Sequence, residues 1–523
     1  MIALPRRCFG TRYYLANLVL LLGMVRTESV QASTTSNKDR HLSPSPSLPF
    51  SCQLLEFDVL VEKESDSSGT LSDTKDCICL TEDDELLPIV LPEGLQLNHH
   101  CEAGTNVVFS NAQIFQQRLL VEPTSTISID ESGQDTRQLG IQFADKTNND
   151  ENIFHEDDHS NTMGIKSVLM VRVSTLDQQP LVSAEEFQRR VMQSSGYSMA
   201  DQYKQCSFGK LQFELAQNQN VIDLVLDKEI RQYETNLHLL SAAQYQVQQM
   251  FNVDKIQSIT DHIMFCLPSG LDGDWVAFAG VGDYRSAYRD SYCGTLSVSM
   301  HEVGHNLGLR HSNEDGDYLD LTGYMGVGRD VQDYPLKCFN AEKNWNLGWY
   351  NDRALKINPA VEGPHMVKLA PFVDYDKIPD EQYVLINVDD KFFVQYNRAK
   401  GMNSETEEKR NQVVIVERGK GDNSEVLDGI VRHWNQKAMA FGPYDNDSAV
   451  VFHICEELPD DVLLISIGIN ESICGSDDDS PFYEEMMANV GTWSSAVRKR
   501  RDRAPKGGVK QANGGSRRGI RGR

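Results

Sequence analysis

The stretch 301-HEVGHNLGLRH-311 carries the densest chemistry in this chain of 523 residues. It sets His301 and His305 four residues apart, with Glu302 beside the first. Residues four apart share one face of a helix, so two imidazoles at this spacing can reach a single metal ion. Gly308 lets the chain leave the helix through a backbone conformation closed to bulkier residues, and that turn can bring back His311 as a third ligand. Three histidines leave the fourth position of a tetrahedral zinc site open for water, which is the arrangement of a catalytic site rather than a structural one. A bare HExxH arises by chance in helical sequence. The extended form is far more specific, because it fixes five positions, three of them the uncommon histidine.

Downstream, 322-TGYMG-326 is a tight turn flanked by glycines that presents Met325. Its spacing is similar to the Met-turn that lies under the zinc of metzincin peptidases. The stretch 201-DQYKQCSFGKLQFELA-216, the metal motif and 338-CFNAEKNWNLGWY-350 together resemble the gametolysin family. Those enzymes are secreted metzincin endopeptidases of algae that act on cell-wall proteins. The resemblance covers residues 165 to 356, with a weaker echo in the β-rich flanks. It implies an α/β catalytic domain with a mixed sheet, long helices and an irregular lower subdomain. It also implies one catalytic Zn2+ and hydrolysis of internal peptide bonds. Two departures stand out. The namesake enzymes begin the motif with Gln where this chain has His301, so their metal preference does not transfer. Some metzincins use a Tyr two residues after the Met as an extra ligand, but here Tyr324 precedes Met325 and Val327 stands at that offset, so no tyrosine ligand is assigned.

In this reading His301, His305 and His311 hold the zinc and Glu302 is the general base. Glu302 takes the proton of the attacking water and later delivers it to the leaving amine. Met325 is a floor that packs under the ligands. The rival reading is a zinc-binding extracellular adhesion or matrix module with little or no proteolytic activity. Replacement of Glu302 would be its sequence sign, and Glu302 is present. A further reading gives the β-rich flanks the work of binding wall glycoprotein or polysaccharide.

The N-terminus reads as a targeting segment. Arg6, Arg7 and Arg12 precede the apolar run 13-YYLANLVLLLGMV-25, and Val30-Gln31-Ala32 offers small residues for cleavage, so residues 1–32 have the anatomy of a secretory signal peptide. The run is short for a membrane span. Of eleven cysteines, Cys8 leaves with the signal, four precede the catalytic region (Cys52, Cys77, Cys79, Cys101) and six follow (Cys206, Cys266, Cys293, Cys338, Cys455, Cys474). Even counts on both sides fit disulfides formed within each part in an oxidising compartment, with connectivity left open. The sequons at Asn446 and Asn470 suit the same route. The net charge is −26, and residues 498–523 hold eleven Lys/Arg against one Asp, so the body carries −36. A surface that acidic repels nucleic acid and favours basic or neutral substrates.

Along the chain, residues 33–49 form a Ser/Pro-rich linker and 50–145 a small β-rich domain placed where a propeptide belongs. An acidic linker follows at 146–164, the catalytic domain at 165–356, a β-sandwich-like domain at 357–480 and a basic tail without a core at 481–523. Arg498-Lys499-Arg500-Arg501 in the tail suits a processing site, and a solvated tail explains it equally well. In the catalytic part, strands are expected at 167–174, 211–216, 221–226, 261–268 and 275–282, with helices after Ser183, over 232–251 and from Gly294. Two further sites are weighed. Glu314, Asp315, Asp317 and Asp320 around Gly316 could supply oxygens to calcium, but their spacing does not match an EF-hand and a solvated loop is the plainer account. Cys101, after His99 and His100, could offer a thiolate that keeps a zymogen silent, although an ordinary disulfide is the simpler use.

Overall fold

The computed structural model describes residues 48–62, 71–92, 105–114, 118–122, 125, 127–129, 159–193, 197–271, 273, 275–314, 319–326, 335–419, 423–431, 439–441, 448–470 and 472–474. The expected signal segment, the basic tail, most of the acidic linker, His99, His100, Cys101, Asp315, Asp317 and Val327 lie outside these residues. Among the described residues the fold is mixed α/β, with three sheets and six α-helices. None of those helices is long and apolar enough to cross a membrane.

The first sheet contains twelve strands. Six come from the N-terminal part: β1 (Leu48–Glu62), β2 (Leu71–Leu80), β3 (Leu86–Val90), β4 (Asn106–Ile114), β5 (Leu119–Val121) and β6 (Ile127–Ile129). Six come from the part around the motif: β7 (Gly164–Ser174), β8 (Leu211–Leu215), β9 (Ile222–Val225), β10 (His262–Leu267), β11 (Trp275–Gly280) and β12 (Arg285–Arg289). The order β6-β4-β5-β3-β2-β1-β11-β12-β10-β7-β8 makes the two groups one continuous sheet, joined where β1 pairs with β11. In the second group, β7 runs parallel to β8, β9 and β10, β10 runs parallel to β12, and β11 is antiparallel to β12.

Alternation along β7 feeds two cores. Val168 and Met170 face one side of the sheet, where they meet α1 (Ala184–Met192), α2 (Met199–Cys206), α4 (Leu296–Asn306) and α5 (Ala341–Leu347). Leu169 and Val171 face the other side and meet α3 (Asn236–Phe251). Strands covered on both faces are apolar throughout, and every residue of β10 (HIMFCL) and of β11 (WVAFAG) is buried. The helix expected after Ser183 is α1, and Ser183 accepts from the Glu186 amide at 3.2 Å. The expected 232–251 helix starts later, at Asn236. Ile230–Gln232 form a separate 3-10 turn, and Thr235 caps α3.

The N-terminal strands close on themselves. The additional pairing of β4 with β1 completes a ring β1-β2-β3-β5-β4 around Leu54, Leu87, Val107, Phe109 and Leu119. A disulfide between Cys52 and Cys79 joins β1 to β2. Beyond the motif, the second sheet is β13 (Ser312–Asn313), β19 (Ser424–Val431), β18 (Gln412–Arg418), β17 (Phe392–Asn397), β16 (Leu385–Val388) and β14 (Ala354–Ile357), in that order. The third is β15 (His365–Leu369), β22 (Leu463–Ile469), β21 (Val450–Glu457) and β20 (Met439–Phe441). Ile386, Val394, Ile415, Phe452 and Ile465 share one core of the second and third sheets. Strands β13 and β14 of the second sheet begin before residue 357, the expected start of the C-terminal β domain. The short α6 (Pro359–Glu362) connects β14 to β15.

Candidate metal centre and active site

The site is built on α4. Cys293 just before this helix is bonded to Cys266 of β10, which ties the helix start to the central sheet. The Tyr203 hydroxyl donates to the Met300 carbonyl at 2.7 Å, one residue before the motif. His301, Glu302 and His305 leave this helix buried, with exposures of 4, 1 and 0 %. After Asn306 the chain reverses at Gly308, whose φ of +88° strains any residue with a side chain. There the Gly308 amide donates to His305 O at 2.8 Å and the Leu309 amide to Gly304 O at 3.0 Å. The reversal returns His311, 1 % exposed, so that its ring stacks on His301 with centroids 5.1 Å apart. Among the described residues these three histidines are the group whose ligand atoms converge closely enough to hold a metal ion.

Hydrogen bonding fixes the tautomers of two of them. His301 Nδ1 lies 2.7 Å from the Tyr324 carbonyl and His305 Nδ1 lies 2.9 Å from the Leu309 carbonyl. A carbonyl can only accept, so each Nδ1 carries the proton and each Nε2 keeps a bare lone pair. Those Nε2 atoms are nevertheless 3.1 Å apart, and His311 Nε2 is 3.2 Å from His301 Nε2. Two facing lone pairs at that distance repel unless a cation lies between them. Tetrahedral zinc with Zn–N of about 2.0–2.1 Å sets its nitrogens about 3.3 Å apart, so the donor set fits such an ion. Burial, followed by His311 and His301, holds the His305 imidazole well below its ordinary pKa, which keeps it in the neutral form a ligand needs.

The 322–326 turn lies under this cluster. Met325 is 1 % exposed, and a Cβ added at Gly304 would sit 2.5 Å from its sulfur, so the helix approaches the thioether closely at that glycine. We expect Gly304→Ala to displace Met325 and to destabilise the fold by about 1–3 kcal/mol, the usual cost of overpacking. Urea unfolding of the metal-loaded protein measures it, and an unshifted midpoint would show that the turn yields freely. The Tyr324 hydroxyl donates to the Pro335 carbonyl at 2.6 Å.

The C-terminal sheet grips the third histidine. The Ser424 amide on β19 donates to the His311 carbonyl at 3.0 Å, and the Ser312 amide donates to Met325 O at 2.8 Å. Ser312 Oγ donates to Asp320 at 2.6 Å, and Asn340 Nδ2 donates to the same Asp320 oxygen at 2.9 Å. The other Asp320 oxygen accepts from the Thr322 amide at 2.7 Å, so both oxygens serve this internal network. Glu314 pairs with Lys409 at 2.6 Å. Of the four acidic residues weighed for calcium, the two described ones therefore serve structure.

The sequence reading missed three kinds of partner. The carbonyls of Tyr324 and Leu309 orient the ligands, and backbone leaves no mark in a motif. Ser424 is more than a hundred residues away in the chain. Asp58, 3 % exposed on β1, has its Oδ2 3.9 Å from Nδ1 of both His305 and His311. Its sequence trace is slight: Glu56 stands two residues before it, and both interrupt the apolar residues of 54-LLEFDVLV-61.

Residues 167–379 match the family model for gametolysin peptidase M11. Over this segment the chain is similar to the gametolysin peptidases. No curated protein matches the chain. The matched segment holds the motif helix, the 322–326 turn and α5, and it runs past residue 356 to include β14 and β15. The disulfides Cys206–Cys338 and Cys266–Cys293 both lie within the matched segment, and Cys455–Cys474 lies beyond it.

Proposed function

We propose that the protein is a secreted zinc endopeptidase that hydrolyses internal peptide bonds of extracellular or cell-wall proteins. The observation that carries the reading is the convergence of three histidine nitrogens, two of them with their protons locked onto backbone carbonyls. The gametolysin-family match supports peptide hydrolysis as the reaction. Disulfides are compatible with an exported protein.

His301, His305 and His311 would hold the metal. A bound zinc supplies a Lewis acid that polarises the scissile carbonyl and lowers the pKa of water towards about 7. The chain's own contribution follows from burial and position. Glu302, adjacent to the first ligand and 1 % exposed, is the base that accepts the proton of the attacking water and passes it to the leaving amine. The Tyr288 and Tyr203 phenols near it are pushed well above their ordinary pKa, chiefly by burial, so both stay neutral and do not compete for that role. Met325 packs beneath the ligands and keeps their geometry.

The test is metal content beside casein cleavage. Purified protein should contain about one zinc, and chelation with verified metal removal should abolish cleavage. Full activity in the metal-free protein would end this reading.

A further inference from the structure

We propose that the second sheet is part of the metal centre, and that Ser424 and Asp320 are positioning residues for His311. The inference rests on the three-histidine metal reading and adds what fixes the third ligand in place.

His311 is supported differently from the other two. His301 and His305 stand on α4, whereas His311 follows the reversal at Gly308 and leads directly into β13. A two-residue strand keeps its place only through its partners. Here β13 lies parallel to β19, with Ser312 opposite Ser424. The peptide unit between His311 and Ser312 is held at both ends. Its carbonyl accepts from the Ser424 amide at 3.0 Å, and its N–H donates to the Met325 carbonyl at 2.8 Å. The first partner belongs to the second sheet and lies outside the 167–379 segment. The second belongs to the turn whose Tyr324 carbonyl faces His301 Nδ1.

Side chains brace the same peptide. Ser312, Asp320 and Ser424 are fully buried. The Ser424 hydroxyl donates to Ser312 Oγ at 2.9 Å, and Ser312 Oγ donates to Asp320 Oδ2 at 2.6 Å. Asn340 Nδ2, from the residue that caps α5, donates to Ser312 Oγ at 2.6 Å and to Asp320 Oδ2 at 2.9 Å. Asp320 Oδ1 accepts from the Thr322 amide at 2.7 Å and from its hydroxyl at 2.5 Å. The Thr406 hydroxyl, also from beyond residue 379, donates to the Thr322 carbonyl at 3.2 Å. A carboxylate sealed from water is tolerated only when its oxygens are occupied in this way, and a buried network so saturated specifies one arrangement. That arrangement sets the spacing between the turn that orients His301 and the strand that carries His311. His305 is oriented within the motif itself, by the Leu309 carbonyl.

The experiment uses the full chain loaded with Co2+, as wild type, Asp320→Asn, Ser424→Ala, the double variant and Thr162→Val. Thr162 is the control, because its buried hydroxyl donates to the Leu347 carbonyl at 2.9 Å, a bond that involves neither the ligands nor the turn. The readouts are the Co2+ absorption spectrum, the rate of metal loss to a chelator, and the urea midpoint. Asp320→Asn should shift the spectrum and speed metal loss at least about tenfold, as loss of a partner that orients a ligand does. Ser424→Ala should act in the same direction and less strongly, because its amide remains. The double variant should lose metal no faster than Asp320→Asn, since both residues act through Ser312. Thr162→Val should keep the wild-type spectrum and loss rate even where its midpoint falls. A wild-type spectrum and loss rate in Asp320→Asn would overturn the role of Asp320. Independent, multiplying effects of the two substitutions would overturn their joint action on His311. Equally fast loss from Thr162→Val would reduce the effect to stability alone and overturn the proposal. Ser312→Ala, which cuts the same bond from the other side, replaces Asp320→Asn if that variant does not fold. No readout uses a substrate, so failure of the peptidase reading would leave the comparison standing, whereas a wild type that takes up no Co2+ would overturn the metal centre and this role together.

Discussion

Glu302→Gln should lower casein cleavage by at least about a hundredfold, the usual contribution of a positioned acid–base group, while zinc content stays near one per chain. Gln keeps the size and hydrogen-bonding reach of Glu but cannot take a proton from water. It leaves His301, His305 and His311 as they are, and the carbonyls of Tyr324 and Leu309 still set the first two. His305→Ala is the contrasting variant. It removes one of three donors from a buried cluster, and zinc itself should be lost. The assay is turnover per bound zinc. A Glu302→Gln protein with near wild-type turnover would reassign the base. A Glu302→Gln protein without zinc would mean that the residue supports the fold of the site rather than its chemistry.

The largest expected effect on stability is at Arg285. Its guanidinium is fully buried and donates to both Asp283 oxygens at 2.9 Å, to Gln244 at 2.8 Å and to Asp84. Asp84 also accepts from the Tyr284 hydroxyl at 2.5 Å. Arg285→Ala strands two carboxylates that are 4 and 5 % exposed. Removing one member of a buried charged cluster costs about 3–5 kcal/mol, a large share of the roughly 5–15 kcal/mol that holds a domain folded. Asp84 lies between β2 and β3 while Asp283 and Arg285 flank the start of β12, so the variant should also loosen the N-terminal strands from the catalytic sheet. Urea denaturation with an unchanged slope should show the midpoint fall. A loss below about 1 kcal/mol would mean that water reaches the carboxylates and the cluster is not sealed.

Much of the catalytic sheet was legible because its strands are buried on both faces. Runs such as 167-SVLMVRVS-174 and 261-DHIMFCLP-268 have the length and apolar density of buried strands, and they became β7 and β10. The motif helix was legible from histidine spacing alone. Shorter helices were not: α2 and α5 have eight and seven residues, too few for a period to emerge. Their ends did carry signals, with Ser198 and Asn340 as caps and Gly348 in the left-handed region, and local capping chemistry would have found them. The cysteines announced disulfides, and the bonds Cys52–Cys79, Cys206–Cys338, Cys266–Cys293 and Cys455–Cys474 respect the division into an N-terminal and a later set. Which cysteine met which was a question of spatial approach that spacing does not encode.

By itself the sequence determined which histidines converge. Three histidines on one helix and the turn after it must face one another, because 3.6-residue periodicity and a glycine-permitted reversal leave the local chain little choice. Tertiary structure decided everything that comes to the site from a distance. The Tyr324 carbonyl that fixes the His301 proton, the β19 amide that grips His311 and the β1 strand that brings Asp58 to the ligands are 23, 113 and some 250 residues removed from the groups they touch. Main-chain carbonyls and amides are the same in every residue, and strand pairing is set by register and burial across the whole sheet. No local pattern could therefore have named these partners before the chain was folded around them.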